Sequence, residues 1–247
     1  STWRFRAPSW FNKFMKKTAL RFLSLLPLIL IAGIAEAGPK YGPNAVPLSR
    51  KTNVEYFQKN AANDYWALAS FYLPQPTGRA CGAANLTLLL NAARSSVKEL
   101  TSDDKLLTVV DYVKTYTDKN YEKAIMTKGL FDRSNVTNKN MARLLVLGTE
   151  KLKFKTAGTS ATVVDVDLKD IEGSKKKFLE NLRENEKSSD DFIMFSFIQG
   201  TLTGDPEGGA HVATVAAYDE KKGLVLVMDP DREWYEPYWT PVDKLFD

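Results

Sequence analysis

The last quarter of the chain constrains its fold most. Three apolar runs, residues 192–199, 211–218 and 224–229, follow in quick succession, and each reads as a strand. Asp219-Glu220-Lys221-Lys222-Gly223 joins the last two. That connection is short enough for a hairpin, so these two strands pair antiparallel. The part before them reads differently. Its spacing predicts helices over residues 54–60, 81–94, 103–117, 138–149 and 170–186. In 103–117 the residues Leu106, Leu107, Val110 and Val113 share helical spacing, and in 170–186 Phe178, Leu179 and Leu182 face inward above a charged, solvated face. The Leu and Ala density of 81–94 implies burial on most sides. Residues 65–71 are an apolar, aromatic stretch, 74–80 a loop and 128–136 an irregular loop, and 152–156 alternates as a strand does. Helices first and strands later predict an α+β fold.

Composition is that of an ordinary globular domain, 44% hydrophobic and 26% charged. The net charge of +4 misleads, because six of the 34 basic residues but only one of the 30 acidic residues lie in 1–37. The remaining 28 basic and 29 acidic residues nearly cancel, which argues against a nucleic-acid partner. The leader has the grammar of a secretory signal peptide over residues 15–37. Met15-Lys16-Lys17 opens a positive region, 22–35 is apolar, and Ala35-Glu36-Ala37 is a small-x-small cleavage site. Cleavage after Ala37 would leave residues 38–247 as one periplasmic or secreted domain, with no membrane attachment. The alternative is a membrane anchor, which the run's length and Pro27 disfavour. Residues 1–14 read as an upstream extension or a mis-assigned start.

The sequence holds one cysteine and one histidine. It therefore forms no internal disulfide, and it lacks the ligands of a transition-metal site, so no metal or cofactor is expected. Nothing in it specifies an oligomeric state. Cys81 precedes Gly82-Ala83-Ala84-Asn85 and an apolar run, which puts a thiol at the first turn of a buried helix, where unpaired N–H groups favour the thiolate. Gly82 beside it would leave room for a substrate carbonyl. His211 opens a predicted strand and is positioned to take the thiol proton and return it to a leaving amine. Asp229 ends the next strand, so a hairpin would bring it beside His211 to fix the imidazole tautomer. Gln75, six residues before Cys81, is a candidate oxyanion donor together with the Cys81 N–H. Each residue has a plainer counterpart: an inert buried cysteine, a structural histidine, an aspartate that opens the Asp229-Pro230-Asp231 turn, an exposed loop glutamine. Asn85-Leu86-Thr87 and Asn135-Val136-Thr137 fit a glycosylation pattern but carry little weight.

These elements together resemble the catalytic domain of the phytochelatin synthase family. The resemblance rests on Gln75 with Cys81-Gly82-Ala83-Ala84, Leu90-Asn91-Ala92, Gly208-Gly209-Ala210-His211, Ala216-Ala217-Tyr218, Met228-Asp229-Pro230-Asp231-Arg232 and Tyr235-Glu236-Pro237-Tyr238-Trp239. It runs from about residue 53 to 247, and Asp64-Tyr65-Trp66 falls where the family carries a similar aromatic element. The resemblance implies a papain-like fold, with a helical part followed by an antiparallel sheet. It implies a cysteine peptidase chemistry in which Cys81 cleaves the Cys–Gly bond of glutathione through a γ-glutamylcysteinyl thioester. Water would then give γ-glutamylcysteine, and a second glutathione a phytochelatin. Arg232 and Tyr235 become candidates to hold the γ-glutamyl end. Metal–thiolate glutathione enters only as a substrate or activator. Three departures stand out: Ala210 intervenes between glycine and histidine, Gln199 stands where an arginine is expected, and the family normally continues past the position of Asp247. The short, exported form is more similar to prokaryotic members, for which hydrolysis is the safer expectation. Two other readings remain: a double-glycine leader peptidase, and a non-catalytic thiol or metal-chelate binding module on the same scaffold.

Overall fold

A computed structural model describes residues 40–50, 54–127, 136–205 and 208–246. The expected signal peptide, its cleavage point, the upstream residues 1–14 and nearly all of the predicted loop 128–136 lie outside them. The described helices are α1 (Val54–Lys59), α2 (Asn63–Ala69), α3 (Cys81–Val97), α4 (Val109–Asp111, continued by a π turn over Tyr112–Tyr116), α5 (Lys119–Met126), α6 (Asn138–Lys151), α7 (Ile171–Asn185) and α8 (Gln199–Thr203). The strands are β1 (Val46–Pro47), β2 (Met194–Ile198), β3 (Ala210–Asp219), β4 (Leu224–Met228) and β5 (Tyr238–Pro241). They form one sheet in the order β1-β5-β4-β3-β2, antiparallel throughout. The arrangement is α+β, and β3–β4 is the expected hairpin. Gly223 closes its turn at φ +62°, a backbone region that suits glycine.

Both faces of the sheet are covered, which explains why β3 and β4 are apolar almost without alternation. On one face Ala213, Val215, Val225, Val227 and Tyr238 pack with Leu182 of α7, and on the other Ala216, Leu226, Met228 and Trp239 pack with α2 and α3. Helix α3 also faces the helical half, where Ala83, Leu86 and Leu90 meet Tyr112, Tyr121, Met141 and Leu144. Every residue from Gly82 to Ala92 is buried. A fully buried leucine stabilises by about 1.5–3 kcal/mol, so Leu86, Leu88 and Leu90 make α3 the fixed axis of the molecule.

Several expectations need correction. Residues 103–108 are not helical. Asn91 on α3 exchanges two side-chain bonds with the Leu107 backbone, each 3.0 Å, and Arg94 donates to the Lys105 carbonyl. Those bonds hold the segment extended, Leu106 is left exposed, and the helix starts only where Thr108 caps it. Residues 152–156 are not a strand. Lys153 turns the chain with φ +59° after α6, Phe154 is buried in the core, and Leu152 packs against it. Helix α5 was not anticipated, although Asp118 caps its first turn and Tyr121, Ala124 and Ile125 form its buried side. The stretch 65–71 falls mostly within α2.

Asp64 in the first turn of α2 is 2% exposed, and neither carboxylate oxygen has a hydrogen-bond donor. The Oδ1 of buried Asn185 is likewise unpartnered. Burial, then the charges of Glu186 and Asp191, push the Asp64 carboxyl up to about 8. The unfolded chain releases this proton near pH 4, so between about pH 4 and 8 the folded protein holds a proton that the unfolded one has lost. Stability therefore falls as pH rises through that window. Asp64→Asn keeps the shape and removes the titration. It is expected to match the parent near pH 4 and to be more stable at pH 9, by on the order of several kcal/mol. Melting curves across pH test this, and parallel curves for the two proteins would overturn it.

Candidate active site

Cys81 is the first residue of α3, and Ala80 before it provides no side-chain cap. The open N–H groups of the first turn therefore stay available to an anion. No acidic residue occupies that turn. Gly82 serves packing rather than access: a Cβ there would lie 2.5 Å from Met141 Sδ and 3.4 Å from the Tyr121 hydroxyl. Its open side faces α6 and α5, not the space expected for a substrate carbonyl.

One turn into α3, the buried Asn85 ties the helix to β3. Its Nδ2 donates to the Cys81 carbonyl at 2.8 Å and to the Val212 carbonyl at 2.9 Å, and its Oδ1 accepts from Thr214 Oγ1 at 2.6 Å. A single side chain thus fixes the start of the helix bearing Cys81 against the start of the strand bearing His211. It is fully buried with its polar atoms occupied, so in the folded protein it is no glycan acceptor.

His211 Nε2 lies 2.7 Å from Asp229 Oδ1. Cys81 acts on the same imidazole and raises its pKa, and with Nε2 held by Asp229 the ring nitrogen left for the sulfur is Nδ1. The Phe197 ring stands edge-on at 5.6 Å. The hairpin supplies this geometry: Thr214 pairs with Met228, so Asp229, one residue further on, comes beside the strand end that carries His211. Burial pulls the imidazole pKa down. Hydrogen bonds to Asp229 and Cys81, together with their charges, outweigh it and raise the pKa to about 10. Asp229 is 0% exposed. Burial raises its pKa, but the bond to His211, the imidazolium charge and the bonds from Asp231 N–H and Gln199 prevail and hold it below the usual range. The described arrangement is a thiol, an imidazole and a carboxylate in series, suited to a thiolate–imidazolium pair and to handing a proton to the group that leaves the carbon attacked by sulfur.

The loop before α3 is joined to this site. Gln75 N–H donates to the Pro230 carbonyl at 2.8 Å, and the Tyr72 hydroxyl donates to the Asp229 carbonyl. Gln75 Oε1 is buried without a donor. Arg232 is exposed, with its guanidinium 4.7 Å from the centre of the Tyr72 ring. It helps line a cavity of about 330 Å³ with Ser49, Tyr65, Tyr72 and Glu236. Tyr235 is buried among aromatic rings, edge-on to Tyr41 at 5.7 Å and Tyr238 at 6.2 Å. The structure therefore brings Cys81, His211 and Asp229 together and ties Gln75 to the turn after Asp229. Arg232 borders the neighbouring cavity, and Tyr235 is packed in the core.

Sequence reasoning missed three residues of this site: Asn85, Gln199 and Tyr238. Gln199 Nε2 donates to Asp229 Oδ2 at 3.2 Å, and the Tyr238 hydroxyl donates to the same oxygen at 2.9 Å. In the sequence Gln199 stands out only as occupying a position where an arginine is expected, not as a partner of Asp229. Among the described residues no group of three or more His, Cys, Asp or Glu is placed to hold a metal ion.

A family model described as phytochelatin synthase matches residues 42–247. A search of curated proteins finds no match.

Proposed function

The chain belongs to the phytochelatin synthase family, papain-like enzymes that act on glutathione as γ-glutamylcysteinyltransferases, and we propose that this member removes glycine from glutathione with Cys81 as nucleophile. The observation that carries the proposal is the buried His211, held by Asp229 at 2.7 Å and electrostatically coupled to Cys81.

In the proposed reaction the Cys81 thiolate attacks the carbonyl carbon of the Cys–Gly bond. The carbonyl oxygen takes the negative charge, and the Cys81 N–H and the Gln75 amide donate to it. Imidazolium at His211 then passes its proton to the glycine nitrogen as the C–N bond breaks. Glycine leaves, and a γ-glutamylcysteinyl thioester remains on the sulfur. Neutral His211 next takes a proton from water, the hydroxide adds to the thioester carbon, and the C–S bond breaks to release γ-glutamylcysteine and restore the thiolate. When the amine of a second glutathione takes the place of water, the product is a phytochelatin. Hydrolysis is the outcome this proposal prefers, with water rather than a second glutathione reaching the thioester. Arg232 is proposed to meet the α-carboxylate of the γ-glutamyl end, which suits a guanidinium; Tyr235, expected to share that role, is packed in the core and is kept in the proposal only as support behind Arg232. Export, with cleavage after Ala37 and action outside the cytoplasm, belongs to the same proposal, as does chemistry without a resident metal or cofactor.

The test is mass spectrometry of the mature protein incubated with glutathione. The proposal expects free glycine, a transient adduct of γ-glutamylcysteine on Cys81, and γ-glutamylcysteine as the main product. Glycine release with longer γ-glutamylcysteinyl chains would move the assignment to transfer. No glycine release would overturn it.

A further inference from the structure

Asp229 is completely buried, yet its carboxylate is met by four donors. Oδ1 takes His211 Nε2 at 2.7 Å and the Asp231 N–H at 2.9 Å, and Oδ2 takes the Tyr238 hydroxyl at 2.9 Å and Gln199 Nε2 at 3.2 Å. The donors come from four places in the chain: β3, the turn after β4, β5 and α8. Only one of them carries a charge. We propose that Gln199 and Tyr238 are positioning residues, which keep Asp229 ionised and aim its Oδ1 at His211.

The inference rests on the proposed role of the Cys81–His211 pair, and its physical basis is separate. A carboxylate removed from water holds its charge only where donors replace the lost solvent. Two neutral donors on Oδ2 do this without a competing cation. They leave Oδ1 as the oxygen that attracts the imidazole proton. A lysine or arginine on Oδ2 would neutralise the carboxylate and weaken its hold on the imidazolium. Gln199, at the position where the family resemblance led to an arginine, supplies the hydrogen bond without the charge. Charged and titratable neighbours frame the site on each side: Cys81 from α3, His211 from β3, Asp231 and Glu233 from the turn, Tyr72 from the loop before α3, and Tyr235 beside Tyr238. The Gln199 amide also lowers the pKa of the neighbouring Asp231, whose charge would otherwise repel that of Asp229.

His211 is the only histidine in the sequence, so its imidazole NMR signals can be followed without ambiguity. Tyr238→Phe removes one donor from Oδ2 and keeps the ring, and Gln199→Met removes the other with nearly constant volume. In the parent the imidazole should stay protonated up to about pH 10. In either variant the midpoint should fall by about one pH unit, a tenfold change in proton affinity. With glutathione, kcat should drop about tenfold while KM stays the same, as expected for loss of an interaction made in the transition state. Titration curves that superimpose on the parent's would overturn the inference. If Tyr238→Phe folds poorly, Gln199→Met carries the test from a separate element. A shifted midpoint in a protein that never releases glycine would support the positioning role and count against glutathione as substrate. An unshifted midpoint in a protein that does release glycine would reject the positioning role alone.

Discussion

Replacing Cys81 with alanine is expected to abolish glycine release from glutathione, by about 10⁴-fold or more. The sequence offers no second thiol to take its place. Without sulfur there is no acceptor for the γ-glutamylcysteinyl group, and water would have to attack the peptide carbon directly beside an imidazole that has lost its partner. The fold should survive. Asn85 bonds the Cys81 carbonyl rather than its side chain, and the helix runs on through Gly82 to Ala92 in full burial whatever atom stands at the first position. A melting temperature within a few degrees of the parent's, with no product, is the expected pair of results. Cys81→Ser should behave almost as poorly, since a hydroxyl is far harder to ionise than a thiol and the imidazolium beside it is a poor base. Glycine release by the alanine variant at a rate near the parent's would mean that bond cleavage happens elsewhere in the molecule.

The parts legible in the sequence were those set by local spacing. The five-residue connection Asp219–Gly223 fixed β3 and β4 as a hairpin, and the hairpin alone placed Asp229 next to His211. Cys81 at the head of an apolar helix could be read because every residue of Gly82–Ala92 is buried and no polar stripe interrupts it. The illegible parts depend on partners far away in the chain. Strands β1 and β5 span two and four residues, too short for a period of two to stand out. Leu106 and Leu107 fit helical spacing, but the side chain of Asn91 competed for the Leu107 backbone and won. Asp64 reads as an ordinary solvated carboxylate in the first turn of a helix and is instead buried against Asn185 and near Glu186. Gln199 and Tyr238 meet on one oxygen of Asp229 through the register of β2 with β3 and of β4 with β5, and no local pattern encodes that meeting.

Asp229→Asn is expected to lower kcat by about 10² to 10⁴-fold without ending turnover, and the number of donors around the side chain explains why. The parent carboxylate accepts four hydrogen bonds on two oxygens. Asparagine offers one oxygen and one NH₂, so half of those donors must face another donor. If the oxygen stays with Gln199 and Tyr238, the NH₂ points at His211 Nε2. That nitrogen must then be an acceptor, its proton moves to Nδ1, and the lone pair needed to take the Cys81 proton is gone. If the amide turns the other way, the tautomer is right, but Gln199 Nε2 meets an NH₂ in a site closed to water. Either way the negative charge that holds the imidazolium is lost. The consequence appears in stability as well as rate. In the parent the folded imidazole keeps its proton to about pH 10, and the unfolded one releases it near pH 6.5. The stabilisation is therefore complete below about pH 6.5 and disappears as pH rises through 10. In the asparagine variant the folded value falls back toward the unfolded one. The His211 contribution to the decline in melting temperature between pH 7 and 10 should then shrink, against a lower starting point. Thermal melts at those two pH values, read beside the rate of glycine release, test both effects on one protein. Parent-like turnover with a parent-like decline would remove Asp229 from the mechanism, and the four donors around it would then describe only a well-satisfied buried acid.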